Sequence, residues 1–226
     1  MMKKLGLPAL ALAAIAALGF WVAQTPSAPG QSLLPGLTAQ AQEAPPATAD
    51  LPAVPDMVLG NADAKVTIIE YASFTCPHCA SFHTTVFKPL KRDYIDTGKV
   101  KFVFREVYFD RYGLWAAMIA RCGGATRYFG ISGMLFEGQQ EWAASDDPTT
   151  VVNNLRRIGK TAGMDDASLD VCMQDSNMAQ AMVNTYEANA KADAVEGTPT
   201  LIINGVKNGN MSYDELKALI DAELAK

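Results

Sequence analysis

Ala64-Lys65-Val66-Thr67-Ile68-Ile69-Glu70-Tyr71 is a short apolar run rich in β-branched side chains. It predicts a buried strand. From Pro77 to about Asp96 the period becomes helical, with Phe82, Val86, Phe87 and Leu90 recurring on one face. Pro89 falls inside this run and predicts a kink or a split, because proline lacks an N–H and crowds the preceding turn. Residues 100–107 (VKFVFREV) alternate apolar and polar at first and predict a second strand beside the first. A strand–helix–strand order with a right-handed crossover makes the two strands parallel.

Helical patterns then take over. One covers 114–122 and another 130–142. Asp147-Pro148 reads as a cap followed by proline at the first helical position, starting a helix that runs to about Ala162. Asp165 and Ser176 are cap candidates for two more helices. Strands resume at 199–203. Asn204-Gly205 is a hairpin-turn signal, and Val206-Lys207 begins the return strand. Ser212-Tyr213-Asp214-Glu215 reads as a capping box. The helix after it carries Leu216, Leu219, Ile220 and Leu224 on one face. The predicted order is β-α-β, a helical insertion, then β-β-α.

The N-terminus changes the picture of where the chain resides. Met1-Met2-Lys3-Lys4 is a short positive start, and residues 5–22 carry no charge. This is the layout of an export signal. The apolar run also approaches the roughly 17–25 residues that span a bilayer, so a retained membrane anchor is the alternative. Ala39-Gln40-Ala41 and Ala23-Gln24-Thr25 are the cleavage candidates. No cysteine follows the apolar run to take a lipid. Residues 23–55 hold seven of the 12 prolines and no aromatic residue, so they are expected to form a flexible spacer. Residues 56–226 then form one domain, with its helical insertion at about 112–194. A net charge of -5 without a basic cluster argues against a nucleic-acid partner.

The candidate chemistry lies in Cys76-Pro77-His78-Cys79, between the first predicted strand and the helix after it. Pro77 suits the first helical position, which makes Cys76 the cap residue. Its sulfur would then sit beside free backbone N–H groups at the positive end of the helix dipole. A thiol in such a setting titrates at roughly 3.5–7.5 instead of about 8.5. His78 would add to this if it is charged or donates a hydrogen bond. Cys79, one helical turn on, lies on the same face and can resolve a mixed disulfide. A static disulfide is one alternative. A zinc site drawing on Cys76, Cys79 and His83 is another, although the remaining cysteines lack the usual ligand spacing. Otherwise His83 is expected on the surface or in a groove. Phe74 and Phe82 are either groove or core.

The run Glu70-Tyr71-Ala72-Ser73-Phe74-Thr75-Cys76-Pro77-His78-Cys79, with Gly197-Thr198-Pro199-Thr200, resembles the active site of the DsbA-type thiol:disulfide oxidoreductases. The resemblance covers about residues 57–226. It implies an α/β, thioredoxin-like fold with an inserted all-helical subdomain. By resemblance, Cys76 is the nucleophile and Cys79 its buried partner. Pro199 is a cis-proline opposite the dithiol, and Thr198 offers backbone hydrogen bonds to a substrate strand. Glu70 is the buried acid beneath the dithiol, though a glutamate ending a strand could also reach water at the sheet rim. Some relatives carry a second disulfide in the insertion. A Cys122–Cys172 bridge would close a loop of about fifty residues and add roughly 2–4 kcal/mol. Two inert buried thiols are the alternative.

The expected function is an exported, periplasmic disulfide oxidase, monomeric and without cofactor or metal. Its implied partners are reduced exported proteins and a membrane quinone-linked thiol oxidase that regenerates it. An isomerase or reductase on the same scaffold is one alternative. A non-catalytic tethered envelope module is another.

Overall fold

The computed structural model describes residues 50–226. The signal or anchor expected at 1–22 and nearly all of the spacer expected at 23–55 lie outside the described residues. Among those described, no helix is long and apolar enough to cross a membrane.

Five strands form one mixed sheet in the order β1-β3-β2-β4-β5. They are β1 (Met57–Gly60), β2 (Val66–Ala72), β3 (Val100–Glu106), β4 (Thr200–Ile203) and β5 (Val206–Asn208). β2 and β3 run parallel, in a register that sets Glu70 beside Phe104. β4 lies antiparallel to β2 on its other side, with Tyr71 opposite Thr200. β1 was not anticipated. Its four residues, Met-Val-Leu-Gly, are too short to show a period, and pairing with β3 makes them a strand.

Successive residues of β2 face opposite sides of the sheet. Val66 and Ile68 enter the main core, with Phe82, Leu90, Phe102 and Phe104. Tyr71 packs in a smaller cluster with Val107 and Ile202. Glu70 falls in the same alternation as Ile68, which turns it toward the main core.

The helical run after β2 extends from Pro77 to Ile95. It is α1 (Pro77–Phe82), a π-helical turn (His83–Phe87), α2 (Lys88–Leu90) and a second π turn (Lys91–Ile95). The disruption expected at Pro89 takes this form. A π turn relieves the missing N–H and the crowded carbonyl by widening the helix.

Six helices lie between β3 and β4: α3 (Arg111–Cys122), α4 (Gly124–Glu137), α5 (Gln139–Trp142), α6 (Pro148–Thr161), α7 (Asp166–Met173) and α8 (Ser176–Ala192). The single helix expected at 130–142 is two, separated at Gly138. Asp147 and Asp165 cap α6 and α7. Ser176 does not cap α8. Asp175 does, accepting from Met178 N, and Ser176 becomes the first helical residue. Asp110, unremarked in the sequence, caps α3.

Beyond the insertion, Asn204 and Gly205 both have positive φ (46° and 86°), as a tight hairpin turn requires. Ser212 and Glu215 form the capping box of α9 (Tyr213–Ala225). Leu216 and Ile220 are buried, but Leu219 is 39 % exposed, so the apolar face of α9 is narrower than expected.

A buried polar cluster fastens the insertion to the sheet. Arg121 on α3 donates to both oxygens of Glu106 at the end of β3, at 2.8 and 2.6 Å. Tyr128 on α4 donates to the same carboxylate at 2.7 Å. Glu106 and Tyr128 are buried. Breaking such a pair leaves an uncompensated buried charge. Arg121→Met is therefore expected to lower the unfolding free energy by about 3–5 kcal/mol, read from the urea midpoint. A loss below about 1 kcal/mol would assign the pair the weight of a surface contact.

Candidate active site

Cys76 sits at the β2–α1 junction as the cap residue, with extended backbone (φ -81°, ψ 118°) and Pro77 next at the start of the helix. Its N–H donates to Ser73 O at 3.1 Å, and its carbonyl accepts from Ala80 N at 3.1 Å. Across the site, the Thr198–Pro199 peptide bond is cis. The Cys76 thiol donates to Thr198 O at 3.6 Å. Thr198 Oγ1 is buried and has no hydrogen-bond partner among the described residues.

The two thiols of the motif are unpaired and differ in environment. Cys76 keeps 9 % of its surface and Cys79 keeps none. Cys76 is thus more covered than its role as the attacking sulfur suggested, because the Thr198 segment lies against it. Burial pushes the Cys79 thiol well above the ordinary thiol range. The nearby Glu70 adds to the rise.

Glu70 is fully buried, which excludes the rim alternative. His83 is also buried, not on the surface or in a groove. Its Nε2 lies 3.2 and 3.0 Å from the two Glu70 oxygens. The ring stacks on Phe136 at 3.9 Å and meets Phe87 at 4.7 Å. A buried carboxylate without a partner is costly, and His83 supplies that partner. The sequence carried a signal for it. His83 follows Cys79 by four residues, on the helix face that continues to Phe87 and Leu90.

His78 is exposed and makes no side-chain hydrogen bond among the described residues. Phe74 and Phe82 are each 1 % exposed and belong to the core. An open recess beside the motif is lined by Thr75, Pro77, Gln139, Gln140, Ala143 and Ala144. Away from this site, Cys122 and Cys172 are joined in a disulfide, with Cα atoms 5.8 Å apart.

The segment leading to Thr198 is also anchored. Tyr71 donates to Asp193 at 2.5 Å, and Arg105 donates to the same carboxylate oxygen at 2.9 Å. Burial and Asp193 push the Tyr71 hydroxyl up to about 12.

A sheet that brings a helix-start Cys-x-x-Cys against a cis-proline, with helices inserted between β3 and β4, defines a thioredoxin-fold dithiol protein. A family model described as Thioredoxin matches residues 53–222, and the chain belongs to that family. A relative from Rickettsia bellii, provisionally named a protein-disulfide oxidoreductase, is 35 % identical over 167 residues. The match covers 74 % of this chain and 63 % of the relative, so the chain spans about three fifths of that protein's length. Disulfide bond formation protein D of Bacillus subtilis is 29 % identical over 176 residues, covering 74 % of this chain and 76 % of that one. Among solved structures, alpha-DsbA1 of Wolbachia pipientis aligns with TM-score 0.71 and 29 % identity, covering 77 % of this chain and 94 % of its own.

The asymmetry between the two sulfurs is measurable. In the reduced native protein, iodoacetamide is expected to label Cys76 at least about tenfold faster than Cys79, because the thiolate is the reactive form. Mass spectrometry of the time course reads the ratio. Equal labelling would contradict the burial that separates the two.

Proposed function

We propose that the protein is an exported thiol:disulfide oxidoreductase that donates a Cys76–Cys79 disulfide to folding proteins. The observation that carries this reading is the asymmetric dithiol, with Cys76 at a helix start facing Thr198 and Cys79 buried behind it.

The reaction is thiol–disulfide exchange. A substrate thiolate attacks Cys76 Sγ. The Cys76–Cys79 bond breaks, a mixed disulfide forms on Cys76, and Cys79 leaves with the electron pair. A second substrate thiolate attacks the substrate sulfur, and Cys76 leaves as a thiolate. Two electrons pass from the substrate thiols to the protein; one of their two protons balances the one taken up by Cys79 and the other is released to solvent, because Cys76 is left as a thiolate.

Burial makes Cys79 a poor leaving group unless it gains a proton as the bond breaks. On this reading the nearby buried Glu70, in its protonated form, supplies that proton and is reprotonated from solvent. His83 holds that carboxylate through both oxygens. Thr198 and Pro199 offer the edge against which an extended substrate segment would lie. The Thr198 carbonyl, occupied by the Cys76 thiol in the dithiol state, is one acceptor for it.

Substrates on this reading are reduced exported proteins in the periplasm. Regeneration needs an acceptor for two electrons, and a membrane quinone-linked thiol oxidase supplies it. The names of the Rickettsia and Bacillus relatives support the reaction class.

Cys76→Ser is expected to lower the rate of oxidation of a reduced test protein at least about 100-fold, because no other group can carry the mixed disulfide. Free thiols are counted over time. An unchanged rate would favour a non-catalytic envelope role.

A further inference from the structure

The backbone on both sides of Cys76 is held by side chains from the inserted helices. Gln139, the first residue of α5, is 3 % exposed. Its Nε2 donates to Phe74 O at 2.7 Å and to Cys76 O at 3.0 Å. A side-chain amide has two N–H bonds, and both are used here. The Phe74 carbonyl lies outside β2 and α1, so neither element supplies its donor.

The second hold comes from Asp110. Its Oδ1 accepts from Gly113 N at 2.9 Å as the cap of α3, and its Oδ2 accepts from the Thr75 hydroxyl at 2.7 Å. Thr75 Oγ1 also lies 3.1 Å from Ser73 Oγ. Gly113 permits this close approach. A Cβ there would stand 3.2 Å from Ser73 Oγ and 3.3 Å from Thr75 Oγ1. The residue before Cys76 and the carbonyl of Cys76 itself are thus both tied to the insertion.

We propose that Gln139 and Asp110 are positioning residues for thiol exchange. They fix the backbone of residues 74–76, and with it the direction from which Cys76 Sγ meets an incoming sulfur. This rests on the exchange reading above. Exchange requires three sulfurs close to a line, so a small rotation of the Cys76 backbone misaims the attack. The inserted helices then set the reaction rate as well as covering the sheet.

The test uses the reduced full-length chain and oxidised glutathione. Cys76 attacks one glutathione sulfur, the glutathione S–S bond breaks and one thiolate leaves. Cys79 then attacks Cys76 Sγ and releases the second thiolate. Gln139→Met preserves side-chain length and removes both donors. It is expected to slow the first step about tenfold, with the native circular dichroism spectrum retained. Gln180→Met, at an exposed position of α8 outside the recess, keeps the wild-type rate. Thr75→Val, which loses the hydroxyl that Asp110 accepts, is slowed severalfold, and Thr75→Ser restores the rate.

A Gln139→Met rate within about twofold of wild type overturns the proposal. If that variant does not fold, an unchanged rate in Thr75→Val does the same. A wild-type chain that fails to exchange with glutathione overturns the exchange reading itself, which separates the two failures.

Discussion

The contact between the Cys76 thiol and the Thr198 carbonyl, 3.6 Å across, joins segments 122 residues apart in the chain. Most of the fold can be understood as what holds those two segments together. β2 delivers Cys76 and β4 follows Thr198 and Pro199. Their antiparallel register, with Tyr71 opposite Thr200, fixes how far each reaches. Asp193, held by Tyr71 and Arg105, anchors the end of the insertion just before the chain turns toward Thr198.

Buried polar pairs do this work where apolar packing alone would leave the geometry loose. Glu106 with Arg121 and Tyr128 ties the end of β3 to α3 and α4. Glu70 with His83 ties the centre of β2 to the first π turn. Such pairs contribute little net stability, because desolvation offsets their attraction. They penalise every arrangement in which one partner is left alone, and that penalty favours a single placement of the dithiol.

The sequence revealed what local chemistry encodes. The alternation of β2, the Asp147-Pro148 start, the Asn204-Gly205 turn and the Ser212–Glu215 capping box each depend on neighbours within a few residues. The Cys-x-x-Cys motif at a strand–helix junction was legible for the same reason. What was missed depends on distance. β1 is a strand only because β3 pairs with it. Gln139 reaches carbonyls 65 and 63 positions away, and nothing near it in sequence marks it. His83, expected on the surface or in a groove, is buried because its partner Glu70 comes from a different element.

The central claim is that the Cys76–Cys79 disulfide is built to be given away. Its reduction potential tests this most directly, measured by equilibrating the protein with mixtures of reduced and oxidised glutathione. The account predicts a value near ~-120 mV, in the range of strong disulfide donors. A value near ~-270 mV would place the dithiol with reductants and contradict the account.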